Sequence, residues 1–340
     1  MGSLMLEEAL SAADVVTAQR VRTDPLLAAI AYELSQRPPG LVFTVARGSS
    51  DHAASYFGYL TMQRLGVPVV SLPMSLITLH HAPIAAKGRL AIALSQSGAS
   101  PDLVDTMTAL SAAGAATVAF VNQPDSALAR SCTWEVPLCA GPERSVAATK
   151  SYIAQLAAMA GLVAHWDRDG ALLRALDGLS ERLVQASRLD WSRLTAVLAK
   201  AGRAMVVGRG LGFAVALEAA LKLKETSAIQ AEAFTSAEIR HGPMALVEAG
   251  YPVLIFALRG PEQAGLLALA RDLRAQDATV LLAAPPDVPE RDLTLATADH
   301  EALDPLLAIQ TFHVTAAHIA EARGFDPDLP RHLSKVTCTR

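Results

Sequence analysis

The sequence predicts an α/β protein with two doubly wound parallel sheets in tandem, and two observations carry that prediction. The first is an internal repeat at an offset of 162 residues. Val42-Phe43-Thr44-Val45-Ala46-Arg47-Gly48 is matched by Ala204-Met205-Val206-Val207-Gly208-Arg209-Gly210. Leu90-Ala91-Ile92-Ala93-Leu94 falls on Pro252-Val253-Leu254-Ile255-Phe256, Gly98 on Gly260, and Ala116-Thr117-Val118 on Ala278-Thr279-Val280. The second is the character of the runs and of what separates them. Each run is short and apolar at consecutive positions, as in a strand buried on both faces of a parallel sheet. Longer alanine- and leucine-rich segments of helical character lie between them, such as Pro101 to Ala113 and Gly212 to Ile229.

Taken in order, a helical N-terminal arm is expected to about Glu33, followed by the strand at Val42 and a helix beginning near His52. The strand at Leu90 leads into a polar turn and a helix opened by Pro101-Asp102, and the strand at Ala116 closes the first repeat. From about Lys150 to Arg193 the pattern is helical without strand runs, so helices are expected to join the halves. The second repeat then runs through the strands at Ala204, Pro252 and Ala278. The expected domains are residues 1–195, comprising the arm, first sheet and connecting helices, and 196–340, comprising the second sheet and C-terminal tail.

Composition narrows the function. Of 340 residues 51% are hydrophobic and 18% charged, yet no apolar run reaches the roughly 18 residues of a membrane span. The start, Met1-Gly2-Ser3, carries no basic segment followed by an apolar stretch and cleavage site, so secretion is not expected. Cys132, Cys139 and Cys338 are odd in number and not closely paired, which fits free thiols in a reducing, cytoplasmic compartment. No disulfide, structural metal or cofactor is expected. With a formal net charge of -4 and scattered basic residues, nucleic acid is not an expected partner. A bound anion would be small and locally held.

In doubly wound sheets ligands lie beyond the carboxyl ends of the strands. Ser95-Gln96-Ser97-Gly98-Ala99-Ser100 occupies such a place, joining a buried strand to a helix N-terminus, where hydroxyls and free N–H groups can cradle a phosphate. A polar turn with a capping serine is the plainer interpretation. Against it, the second repeat holds Ala257, Leu258, Arg259 and Gly260 at the positions of Ser95 to Gly98, so the hydroxyls occur in one copy only. Gly48-Ser49-Ser50-Asp51-His52 is a second candidate, where glycine permits close approach to a ligand, although Ser50 or Asp51 could equally cap a helix. Glu218, Lys222 and Glu225, spaced four and three apart, share a helix face. They read either as a solvated ion-pair ladder or as acid–base groups facing a cleft. His241 is placed in a Gly-Pro turn after a helix, and Lys335 in a terminal tail that would ordinarily be frayed.

At these residues the sequence resembles the sugar isomerase (SIS) domain superfamily, especially the isomerase half of glucosamine-fructose-6-phosphate aminotransferase and relatives without a glutaminase. The motifs are Ser95-Gln96-Ser97-Gly98, Ala147-Ala148-Thr149-Lys150, Leu221-Lys222-Leu223-Lys224-Glu225, His241-Gly242-Pro243, and Pro330-Arg331 with Lys335. The resemblance implies that Ser50, Ser95, Gln96, Ser97 and Ser100 hold a sugar phosphate, with Gly48, Ser49, Ala147, Ala148 and Glu218 lining the same site. It implies Glu225 as the base moving a proton between C1 and C2, Lys222 assisting at the sugar's hydroxyl end, and His241 opening the ring from a neighbouring subunit of a homodimer. Lys335 would close over the substrate and can form a Schiff base with a ketose. Ala148 stands where the pattern has serine, and His332 where it has asparagine.

No cysteine precedes Cys132, so a glutaminase with an N-terminal cysteine is not expected, and breakdown of an amino sugar phosphate is favoured over synthesis. The leading expectation is conversion of glucosamine 6-phosphate to fructose 6-phosphate and ammonia. A fructosamine-6-phosphate deglycase, an aldose–ketose isomerase and a non-catalytic sugar-phosphate sensor are the alternatives.

Overall fold

The computed structural model describes residues 2–335, and Cys338 lies outside them. The chain begins with helices α1 (Leu4–Leu10) and α2 (Ala12–Gln36). The first repeat follows as β1 (Val42–Val45), α3 (Ser49–Leu65), β2 (Val69–Ser71), α4 (Ser75–Thr78), β3 (Leu90–Ser95), α5 (Pro101–Ala112), β4 (Ala116–Val121), α6 (Ala127–Arg130) and β5 (Trp134–Pro137). Helices α7 (Lys150–Trp166), α8 (Gly170–Asp177), α9 (Leu179–Ser187) and α10 (Ser192–Leu198) lead to the second repeat. That repeat comprises β6 (Arg203–Gly208), α11 (Leu211–Ser227), β7 (Gln230–Thr235), β8 (Pro252–Phe256), α12 (Gln263–Arg274), β9 (Thr279–Ala284), β10 (Leu293–Thr294) and α13 (Asp304–Ala322).

Both sheets are five-stranded and fully parallel, ordered β2-β1-β3-β4-β5 and β7-β6-β8-β9-β10. The orders are the same when read from the edge strand, as the repeat requires. The backbone repeats as closely as the sequence: Gly48, at the N-cap of α3, has φ 55° and ψ -133°, and Gly210, at the N-cap of α11, has φ 56° and ψ -132°.

The chain divides into two compact units. The first holds Asp14–Glu143, Lys150–Asp177 and the tail from Ser334. Its centre is β3, buried at all six positions, and α7, on which every residue except His165 is buried. A helix apolar on all sides is a core helix, so α7 belongs inside this unit and does not act as a surface connector. The second unit holds the residues through Ala13, Arg144–Thr149 and Gly178–Leu333. Its core helix, α13, packs against α1, α9, α10 and α11. Gln310 Nε2 on α13 donates to Ala9 O on α1 at 2.8 Å, which fixes the N-terminal helix in the unit of the second sheet. The boundary expected at residue 195 thus differs from the compact units, because α1, α9 and α10 cover the second sheet's helical layer.

Candidate active site

In a sheet of this order the chain reverses its direction of progress between β1 and β3, and the crevice at their carboxyl ends is the ligand position. Both serine-bearing turns of the first repeat end there. After β1, Gly48 turns the chain with positive φ and nothing within 4 Å of where its Cβ would be, so the space above it is open. Ser49 and Ser50 open α3, where the Asp51 and His52 N–H groups donate to Gly48 O at 3.0 and 3.2 Å. Ser50 caps nothing: its Oγ accepts from Gln155 Nε2 on α7 at 2.9 Å, and α3 has no side-chain cap.

After β3, the buried Ser95 Oγ accepts the Gly98 N–H at 2.9 Å, and Ser97 Oγ accepts the Ala99 N–H at 3.3 Å. Gly98 has φ 61°, and a Cβ there would come within 2.2 Å of Ser126 Oγ, so only glycine fits. Ser100 holds the N-cap position of α5, yet its side chain makes no capping bond. Neither Ser50 nor Ser100 caps its helix, while Ser95 and Ser97 accept N–H groups of their own turn, as a polar turn does. Gln96, Ser97 and Ser100 are half-buried. Arg47, just before Gly48, bonds the buried carboxylate of Asp102 through Nε (3.2 Å) and Nη2 (3.0 Å), which ties the two turns together.

The second repeat differs at the equivalent crevice. The offset that pairs Gly48 with Gly210 pairs Ser100 with Glu262. A Cβ at Gly210 would meet Glu262 Oε1 at 2.5 Å, and one at Gly260 would meet Oε2 at 3.2 Å, so the carboxylate sits over both glycines. Arg259, at the position of Ser97, is held by Asp304 (2.7 Å to each oxygen) and by Ala298 O. The chain's own anion fills the crevice that the first repeat leaves open.

Helix α11 carries the charged stripe. Lys222 is fully buried, 3.1 Å from Glu218 Oε1 and 2.7 Å from Glu225 Oε2. Burial alone pushes the lysine's pKa down, but the Glu218 and Glu225 carboxylates outweigh it and hold the ammonium well above its ordinary value. Glu218 is also fully buried, 3.8 Å from His313 Nε2 on α13. Glu225 alone of the three reaches the surface, at 21% exposure, and it lines a cavity of about 560 Å³ with Lys224, Asp326, Arg331 and His332. A solvated ladder is thereby excluded: the stripe is a buried ion-paired group with one accessible carboxylate. Lys222 meets the cavity through Glu225, as a positioning group.

His241 was expected after a helix and instead ends a 3₁₀ turn (Glu238–His241) that follows strand β7. It is exposed, and Gly242 beside it has φ 136°. The loop with Ala147 (buried) and Ala148 (half-buried) is braced within the second unit. The buried Glu8 of α1 accepts the Arg144 and Ser145 N–H groups at 2.6 and 3.2 Å, and Val146 N donates to Asp328 O at 3.3 Å. Lys335, in the first unit, is ion-paired: its Nζ lies 3.2 Å from Oε2 of Glu143, whose side chain is fully buried. Glu143 and Gln96 both line a cavity of about 520 Å³ beyond the ends of β4 and β5, with Arg22, Asn122 and Cys139. Burial pushes the Cys139 thiol pKa up, with Arg22 opposing.

Sequence reasoning passed over Glu143, Gln155, Asp102 and Glu262. The repeat offset was a usable signal for Glu262, since it sets a carboxylate against Ser100. Gln155 bonds Ser50, 105 residues away, and Glu143 joins Ser151, eight residues on, to Lys335, 192 residues away, and no local pattern encodes those long-range pairings. Among the described residues no cluster of His, Cys, Asp and Glu could hold a metal ion, and no helix is long and apolar enough to cross a membrane.

Two parallel sheets repeated in tandem, with a serine-rich crevice in one copy and a buried Glu218–Lys222–Glu225 group on the first helix of the other, set the class of the chain. The family model for the SIS domain matches residues 37–164 and 197–284, and the chain belongs to that family. Its homologues correspond to the isomerase, C-terminal half of glutamine–fructose-6-phosphate aminotransferase. The Aeropyrum pernix aminotransferase is 36% identical over 321 residues, covering 87% of this chain and 51% of that protein. The Gloeobacter violaceus enzyme is 34% identical over 312 residues, covering 86% and 51%. The chain therefore spans about half the length of these relatives. Among solved structures, a protein assigned as a phosphosugar isomerase from Silicibacter pomeroyi DSS-3 has TM-score 0.91 and 37% identity, covering 96% of this chain and 100% of that one. The C-terminal domain of the Francisella tularensis aminotransferase has TM-score 0.87 and 25% identity, covering 97% and 99%.

Proposed function

We propose that the chain is a deaminating isomerase that converts glucosamine 6-phosphate and water to fructose 6-phosphate and ammonia. The carrying observation is the Glu218–Lys222–Glu225 group, in which a buried ammonium fixes one oxygen of Glu225 and leaves the carboxylate accessible from a cavity. Opening the sugar ring creates an aldehyde at C1, which acidifies the C2 proton. Glu225 takes that proton, an enolamine forms across C1 and C2, and the same proton returns to C1. The resulting imine at C2 adds water and expels ammonia. Phosphate binding by Ser50, Ser95, Gln96, Ser97 and Ser100 would hold the register of this exchange. The open crevice over Gly48 and the three hydroxyls of the β3 turn support that assignment.

In this reading His241 opens the ring of a substrate bound to a neighbouring copy, in a homodimer. Its exposure on a Gly-Pro turn supports such a role. The test is to incubate the purified chain with glucosamine 6-phosphate and quantify ammonia and fructose 6-phosphate together. Equimolar appearance of both supports the deaminase. Isomerisation without ammonia on a non-amino sugar phosphate would replace it by a plain aldose–ketose isomerase, and binding without turnover of any phosphosugar would replace it by a sensor.

A further inference from the structure

The family resemblance implies a Schiff-base role for Lys335 without saying what places it. Glu143 lies at the end of the chain leaving the first sheet, its side chain fully buried. Donors from Ser151 and Lys335 converge on it. Ser151 N, in the first turn of α7, reaches Oε1 at 3.1 Å, Ser151 Oγ reaches Oε2 at 2.6 Å, and Lys335 Nζ reaches Oε2 at 3.2 Å. A helix N-terminus favours a carboxylate, but a buried charge is costly unless paired as well as hydrogen-bonded. Lys335, at 24% exposure, supplies a counter-charge from the tail. The neighbouring Lys150 ammonium donates to Pro142 O at 2.7 Å. Because Glu143 and Gln96 line one cavity, the pairing holds the tail lysine against the wall to which the β3 turn contributes.

We propose that Glu143 is the positioning residue of the C-terminal tail: it docks the Lys335 ammonium on the first unit and accepts its proton when the amine attacks a carbonyl carbon. The inference rests on the phosphosugar reading for its substrate. The balance is simple. One proton moves from Nζ to Glu143 Oε2, the nitrogen lone pair forms a C–N bond to the ketose carbonyl carbon, and a second Nζ proton passes to the carbonyl oxygen to give the carbinolamine. The proton held by Glu143 returns through solvent to that hydroxyl, which leaves as water while the nitrogen lone pair forms the protonated imine, and hydrolysis reverses each step. Glu143 need not touch substrate.

The test uses the full chain with Glu143→Gln, Glu143→Asp, Ser151→Ala and Lys335→Arg. The first readout is hydrogen exchange of the peptide containing Lys335, which needs no substrate. The second is borohydride trapping of fructose 6-phosphate on Lys335, followed by intact mass. Steady-state kcat and KM form the third. Glu143→Gln is expected to speed exchange of the tail peptide, and to cut both trapping and kcat by roughly 10²-fold while KM moves much less. Glu143→Asp is expected to restore part of both. Ser151→Ala keeps the charge and removes one bond, so a smaller loss of the same kind is expected, and it serves if Glu143→Gln fails to fold. Unchanged tail exchange and trapping in Glu143→Gln, or in Ser151→Ala where that variant stands in, overturn the inference. A wild-type chain silent on every phosphosugar sinks the functional reading instead, and the exchange comparison still decides the docking.

Discussion

At the scale of single residues, the outcome turns on one carboxylate and the cation behind it. Lys222 donates to Glu225 Oε2 at 2.7 Å, so the proton that shuttles between carbons belongs on the other oxygen. Glu225→Gln keeps the shape and removes the base. Turnover is expected to fall by about 10²- to 10⁴-fold while phosphosugar affinity, read by calorimetry, stays within a few-fold; near-normal turnover would remove Glu225 from the chemistry. Lys222→Met leaves Glu218, itself fully buried, without its cation, and breaking such a buried pair costs about 3–5 kcal/mol. The pH dependence has a definite sign. Because the carboxylates raise the folded-state pKa of Lys222 above its ordinary 10.5, the contribution is whole below that value and is lost only as pH rises through the folded one. The Tm gap between wild type and Lys222→Met is therefore expected to persist between about pH 6 and 9 and to narrow only in strong alkali. The sequence placed these three residues on one face and could go no further. Charges three and four apart usually face water, and their burial is decided by α13, whose His313 lies some ninety positions on.

At the scale of elements, the crevice depends on a turn that only one residue permits. Gly98 has positive φ and Ser126 Oγ lies 2.2 Å from a would-be Cβ, so Gly98→Ala must displace the β3 turn or the α6 N-cap. A cost of about 1–3 kcal/mol is expected, with weakened phosphosugar binding because the Ser95 and Ser97 hydroxyls move with the turn. Ser97→Ala tests the cradle more gently. Loss of one hydrogen bond to a charged phosphate is worth about 1.5–3 kcal/mol, and KM is expected to rise more than kcat falls. An unchanged KM would move the phosphate elsewhere. The repeat made the central strands and the crevice legible, because strands buried on both faces declare themselves as continuous apolar runs. Edge strands do not. The β7 strand begins Gln230-Ala231-Glu232-Ala233 and is exposed at Gln230 and Glu232, so it carries little strand signal, and His241 was assigned to follow a helix as a result. Ser50 was equally opaque, since its partner Gln155 comes from the core helix α7.

At the scale of the whole molecule, the two copies of one fold differ at their crevices. The crevice of the second is filled by its own Glu262, so each chain is expected to bind a single phosphosugar, a stoichiometry that calorimetry reads directly. The proposed homodimer with exchanged histidines makes a stricter demand, because each site would then draw Glu225 and His241 from different chains. Glu225→Gln and His241→Ala should each be inactive as pure proteins, since every site then lacks one group. Unfolded together in equal amounts and refolded, half of the dimers would pair one variant with the other. In each mixed dimer one site lacks both groups, while the other takes Glu225 from one copy and His241 from its partner and is whole. Activity is therefore expected to recover to about a quarter of wild type. Recovery cannot occur if both residues of a site come from one chain, because no arrangement of the two variants then assembles a complete set, and a refolded mixture as inactive as its parents would place His241 in the site of its own chain.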